Sequence, residues 1–271
     1  TVWSLVIGAI IGAAAKLLLT ERYMPGARNR FHWERAAGHD LVHFGKWIFL
    51  STACGFLLSQ GDKAIFGHYL TLEQLGVYNV GFFLASFPLL LGRAVNSRIM
   101  IPLYRDHPPA GSAKDFARMR KLRLILSGGM LVLLGVLALI GPQLVAILYD
   151  PRYAMAGAII VAVALVQMPE TIGITYDQSA LAAGDSRRYF WLQALKAGVQ
   201  TLAFFIGIYH GGLGGALLAQ GLALVALHPA IIMLARAHKA WDPVNDIVLF
   251  ALALLLLALA IWVNGPLLGL L

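Results

Sequence analysis

The sequence predicts an all-α polytopic membrane helix bundle of about eight transmembrane helices. Hydrophobic residues make up 59% of the 271-residue chain and charged residues only 13%, against about 25% charged in soluble domains. The apolar residues gather in runs close to or beyond the roughly 20 residues that one crossing needs. Lys and Arg fall in alternate loops between these runs, the pattern that forms when every second loop is cytoplasmic. The formal charge of +8 is then mostly a topology signal, and neither nucleic-acid binding nor an ordinary cytosolic enzyme is expected.

The first run, residues 2–19, has no basic leader and carries Lys16 at its far end, so it reads as a span rather than a signal peptide. Thr1 stands where a Met would open a complete chain, and upstream sequence is expected. Residues 21–46 mix Arg28, Arg30 and Arg35 with Tyr23, Phe31 and Trp33, which suits either the headgroup layer or a solvated linker. The runs 47–66 and 77–100 follow, separated by a loop without Lys or Arg. Ser112 and Asp115 form a helix-start signal ahead of Phe116, Met119 and Leu122, predicting a short amphipathic helix at the inner surface before the run 124–149. Arg105, Lys114, Arg118, Arg120, Lys121 and Arg123 make this loop basic, whereas Arg152 alone follows the fourth run.

The fifth run, 153–183, is longer than one crossing requires and contains Pro169, which favours a kink. Arg187 and Arg188 precede the run 189–209, and His210-Gly211-Gly212 joins it to 213–235. Arg236 and Lys239 then lead to the run 247–263. The alternation places both ends of the chain outside. The absence of period-2 alternation argues against a β-barrel. Cys54 alone supports neither an internal disulfide nor a thiolate metal site. Gly8 and Gly12, and Gly128, Gly129 and Gly135, predict close helix packing. Gly211-Gly212-Leu213-Gly214-Gly215 lacks the Lys-Ser/Thr ending of a phosphate loop.

Ionisable side chains inside spans cost about 2.5 to 3.5 kcal/mol at a helix centre, so each calls for a partner, a wet cavity or an interfacial position. Asp62, Lys63, Arg93, Glu170, Asp177 and Lys196 qualify. Ser51, Gly55, Ser59 and Asp62 recur at helical spacing, widened by Thr52, Gln60 and Lys63 into a polar half that should face a bundle or a water-filled cleft. Asp62 and Lys63 read either as a charge pair or as binding and gating residues. Gln167, Glu170, Asp177 and Gln178 share one side of the fifth span beside Pro169, as at a transporter site; a buried, protonated and hydrogen-bonded Glu170 is the alternative reading. Asp177 and Lys196 lie at similar depth on antiparallel neighbours and are expected to pair. Arg93 is either a snorkelling cation or an anion contact. No catalytic, cofactor or metal motif is present: there is no His-Glu-x-x-His and no Gly-x-Ser-x-Gly.

Phe44-Gly45-Lys46-Trp47-Ile48-Phe49-Leu50-Ser51-Thr52, then Ser59-Gln60-Gly61-Asp62-Lys63 and Leu75-Gly76-Val77-Tyr78, resemble the start of the C-terminal lobe of bacterial polysaccharide and O-antigen flippases. These belong to the multidrug/oligosaccharidyl-lipid/polysaccharide exporter superfamily. Ala182-Ala183-Gly184-Asp185 and Gly211-Gly212-Leu213-Gly214-Gly215-Ala216 look like later helix connections of that lobe. The resemblance covers residues 44–235. It implies a six-helix C-terminal lobe at 47–235, the last helix of a mostly missing N-terminal lobe at 1–20, a cytoplasmic linker at 21–46 and an additional C-terminal helix at 236–271.

The resemblance further implies a non-enzymatic secondary transporter of the bacterial inner membrane, moving undecaprenyl-diphosphate-linked oligosaccharide for polysaccharide biosynthesis by alternating access. Lys63, Arg93 and Lys196 are then candidates for the headgroup, and Asp62, Glu170 and Asp177 for ion coupling or gating. The expected partners are the lipid-linked oligosaccharide, membrane lipids, a first lobe and polysaccharide polymerase machinery, with no cofactor. A cation-coupled multidrug exporter and a membrane-integral glycan polymerase are the alternatives.

Overall fold

The computed structural model describes residues 2–23, 34–109 and 111–269. Among them every regular element is helical: α1 (Val2–Tyr23), α2 (Arg35–Tyr69), α3 (Leu72–Asp106), α4 (Ala113–Leu148), a 3₁₀ turn (Pro151–Tyr153), α5 (Ala154–Ala182), α6 (Ser186–Ala237) and α7 (Pro243–Leu268). All seven α-helices are long and apolar enough to cross a membrane. Non-helical dihedrals at Gly211 and Gly212 divide α6 into two arms, residues 186–210 and 213–237. With each arm taken as one crossing, the expected eight spans are all present.

The chain divides into two compact units, Thr1–His43 and Phe44–Leu271. In the first, α1 is apolar and exposed along its length. Gly8 and Gly12 have nothing within 4 Å of a Cβ position in this unit. Arg28, Arg30, Phe31 and Trp33, which the headgroup-layer expectation rests on, lie outside the described residues.

In the second unit α5 is the central helix, packed by α3, α4, α6 and α7. Its sequence explains this, because Ala156, Ile159, Ile160, Val163, Ala164 and Met168 leave no polar face in its first half and such a helix belongs inside. Small residues bring the neighbours close. A Cβ on Gly81 of α3 would lie 2.7 Å from Ile159, one on Gly141 of α4 would lie 2.8 Å from Ile160, and one on Gly157 would lie 2.8 Å from the Pro142 backbone. Gly135 meets Leu256 of α7 in the same way, but Gly129 faces open space. Side chains of α3 and α4 also donate to main-chain carbonyls of α5: Asn96 to Ile174 at 2.9 Å, Tyr104 to Thr175 at 3.2 Å and Ser127 to Thr171 at 2.7 Å. α5 runs through Pro169 as one continuous helix.

Caps and turns fix the connections. Thr71 and Gln74 form a reciprocal capping box at α3. Ser112 accepts from the Asp115 amide, so the expected start signal is used, but it opens α4 directly. No separate amphipathic helix forms, because Met119 and Arg123 are already fully buried in the bundle. Gly184, at φ +74°, ends α5 in a left-handed turn, and Asp185 then caps α6. In α6 the arms fold back on each other so tightly that a Cβ on Gly207 would meet the Gly215 carbonyl oxygen at 2.4 Å. Gly212, at φ +59° and ψ −148°, occupies a region open essentially to glycine alone. The ends of α5 and of both α6 segments near Arg187, Arg188, Arg236 and Lys239 gather at one end of the bundle with the start of α4. The Arg120–Asp242 pair and the His238–Asp185 approach at 3.6 Å connect them.

Candidate functional site

A cavity of about 1010 Å³ is walled by α2, α3, α5 and both arms of α6. α4 and α7 contribute no lining residue and back α5 instead. The helical repeat of α2 directs Gly55, Ser59, Gln60 and Lys63 into it, while α3 supplies Arg93, α5 supplies Glu170 and Asp177, and the first arm of α6 supplies Lys196. Lys63, Arg93 and Lys196 therefore share one cavity wall, together with two of the three carboxylates singled out from the sequence.

Two of these cations are paired. Lys196 Nζ donates to Asp177 Oδ2 at 2.6 Å with both side chains close to nine-tenths buried, the pair expected from their matched depth. The Arg93 guanidinium donates to Glu170 Oε1, an internal ion pair. That partner was not foreseen, because Arg93 and Glu170 are 77 positions apart and only the α3–α5 packing brings them together. Lys63 has no carboxylate partner among the described residues. Its Nζ donates to Gln60 Oε1 at 3.1 Å and lies 5.1 Å from the centre of the Phe82 ring.

Asp62 is the correction. It does not pair with Lys63 and is not part of the cavity wall, because one residue step turns a helical side chain by about 100°. It is 3% exposed and accepts a 2.6 Å hydrogen bond from the Tyr78 hydroxyl, tying α2 to α3. Ser51 likewise turns inward and donates to the Trp47 carbonyl, and Thr52 donates to Ile48.

A second polar group, behind α5, was not foreseen. Arg123 is completely buried, donates to the Tyr104 hydroxyl at 2.7 Å and lies 4.8 Å from the centre of the Tyr176 ring. Asp246 of α7 accepts from Tyr176 at 2.6 Å and from the Trp241 indole at 3.0 Å, with His228 Nε2 at 3.3 Å. Asp242 caps α7 and receives a bidentate pair from Arg120 at 2.5 and 3.0 Å. The basic-loop reading of Arg120 and Arg123 concealed this. The signal that was available is the spacing Met119, Arg123, Ser127, four residues apart on a face that is buried throughout.

Outside the spans, burial lowers the pKa of His238 from its ordinary value of 6.5, with Arg188 acting in the same sense and Asp185 against it. Among the described residues no three His, Cys, Asp or Glu side chains come together to hold a metal ion. No curated protein and no solved structure matches the chain significantly. One family comparison succeeds: the model of a family described as "Polysaccharide biosynthesis protein" matches residues 1–109, which include α1, α2, α3 and hence Lys63 and Arg93, and supports a role for this multi-pass membrane protein in polysaccharide biosynthesis.

Proposed function

We propose that the chain is part of a flippase-type secondary transporter, without enzymatic activity, that moves undecaprenyl-diphosphate-linked oligosaccharide across the bacterial inner membrane. The observation that carries this reading is the convergence of Lys63, Arg93 and Lys196 on one large cavity between membrane-length helices. Intramembrane charges at a shared hydrated surface mark substrate pathways, and a diphosphate headgroup needs cations there. Lys63 meets the headgroup first, because it alone of the three is not already neutralised by a carboxylate. The match to a polysaccharide biosynthesis family supports the same class of substrate.

In this reading the basic end of the bundle faces the cytoplasm, both ends of the chain lie outside, and a second six-helix lobe completes the alternating-access pair, with polymerase machinery downstream. Glu170 and Asp177 take part in coupling through their ion pairs, whereas Asp62 acts by positioning α2 against Tyr78. The cation-coupled drug exporter is less well served, because among the described residues of the wall three cations outnumber two carboxylates. A flipping assay in proteoliposomes, or complementation of polysaccharide export, tests the proposal. Lys63→Ala and Arg93→Ala should each lower transport, and normal activity in both would remove the headgroup role.

A further inference from the structure

We infer that the cavity is shaped chemically for an uncharged, hydroxyl-rich glycan on an anionic lipid anchor, and that it discriminates against glycans bearing carboxylates. This rests on the cavity being the transport site. Buried polar atoms are nearly always paired. In the cavity wall four such atoms are not: Asn79 Oδ1, Gln167 Oε1, Asp177 Oδ1 and Gln178 Oε1. All four are acceptors, and they come from α3 and α5, which form adjoining walls. With the amides oriented as they are, a donor completes them once small rotations of these closed-off side chains open them to the cavity.

The remainder of the wall is consistent with such a ligand. Six glutamines line it, contributed by α2, α5 and both arms of α6. A primary amide both gives and takes hydrogen bonds, and so does a sugar hydroxyl, so the match holds whichever way each amide is turned. Phe83 and Phe87 expose their rings on the same surface, where the C–H faces of sugar rings can lie.

The charges point the same way. Two of the three wall cations are already held by Glu170 and Asp177, which leaves Lys63 for the anchor. Among the described residues of the wall, a uronic acid or other acidic sugar would find no free cation beyond Lys63. It would have to compete with Glu170 and Asp177 for Arg93 and Lys196, and as a carboxylate it has no proton to give the unpaired acceptors. The juxtaposition of paired cations with unpaired acceptors is what distinguishes a neutral-glycan site from one for an acidic chain.

The test is direct binding to the full-length protein in lipid nanodiscs with three probes: a bare short-chain polyprenyl diphosphate, the same lipid carrying a short neutral oligosaccharide, and the same lipid carrying an oligosaccharide of equal length with uronic acids. The neutral conjugate should bind tighter than the acidic one by about tenfold or more, the equivalent of one or two hydrogen bonds gained or unmade. Gln167→Leu with Gln178→Leu should weaken the neutral conjugate by more than it weakens the bare lipid. Glu170→Gln with Asp177→Asn should narrow the gap by improving the acidic conjugate. Equal or tighter binding of the acidic conjugate to the unaltered protein overturns the inference while leaving the transport reading in place. If none of the three probes binds, the transport reading falls and the inference with it.

Discussion

On the cavity side of α5, Asp177 holds Lys196 with one oxygen and leaves the other without a donor. Behind α5, Asp246 is surrounded by the Tyr176 hydroxyl, the Trp241 indole and the His228 ring. Both are carboxylates in membrane-length helices, but one is half satisfied and borders a large hollow, whereas the other is closed in by aromatic donors. Arg93 and Arg123 differ in the same way: Arg93 is about half exposed against Glu170, while Arg123 has no accessible surface and rests on two tyrosines. Arg123 Nε and Nη1 and His228 Nδ1 are also without hydrogen-bond partners, so the difference is one of access: polar groups sealed behind α5 against polar groups that border a hollow.

Substitutions should therefore divide along this line. Asp246→Ala removes the common acceptor of several buried donors and should destabilise the protein by about 3 to 5 kcal/mol, read as a large fall in the detergent-solubilised unfolding temperature. Asp242→Ala removes the α7 cap together with the Arg120 pair and should cost about 1 to 2 kcal/mol on the same measurement. Gly212→Ala places a side chain at a positive φ and should cost about 1 to 3 kcal/mol, concentrated in the turn between the arms of α6. In contrast, Lys63→Ala should leave the unfolding temperature within the reach of about 0.5 kcal/mol while lowering headgroup binding by about tenfold or more. If Lys63→Ala instead destabilised the fold as much as Asp246→Ala, the two regions would not differ in kind.

The smallest expected effect concerns pH. Because the folded His238 has a lowered pKa, the unfolded chain binds the extra proton more readily, so stability is fully present above about pH 6.5 and declines as pH falls toward the folded value. His238→Gln should flatten that decline. A slope unchanged by the substitution would assign the pH dependence to other groups.

The spans were legible in the sequence because lipid forces long apolar helices, and the loops because Lys and Arg alternate around them. The Asp177–Lys196 pair was legible because only a short turn separates α5 from the first arm of α6. Arg93 with Glu170 was not, since pairing across 77 positions depends on which helices neighbour each other. Asp62 misled because two adjacent charges suggest a pair, whereas their side chains leave the helix in different directions and Tyr78 offers the nearer partner. Arg123 misled because a cation at a span end reads as interfacial unless the buried face beneath it is followed in both directions.

Tyr176 and Asp177 are consecutive, and each closes a different bond, one to α7 and one to the first arm of α6. The axial setting of α5 is thus gripped on two flanks by neighbouring residues. A twist of the helix large enough to reorient Asp177 would therefore also strain the Tyr176 bond on its other flank.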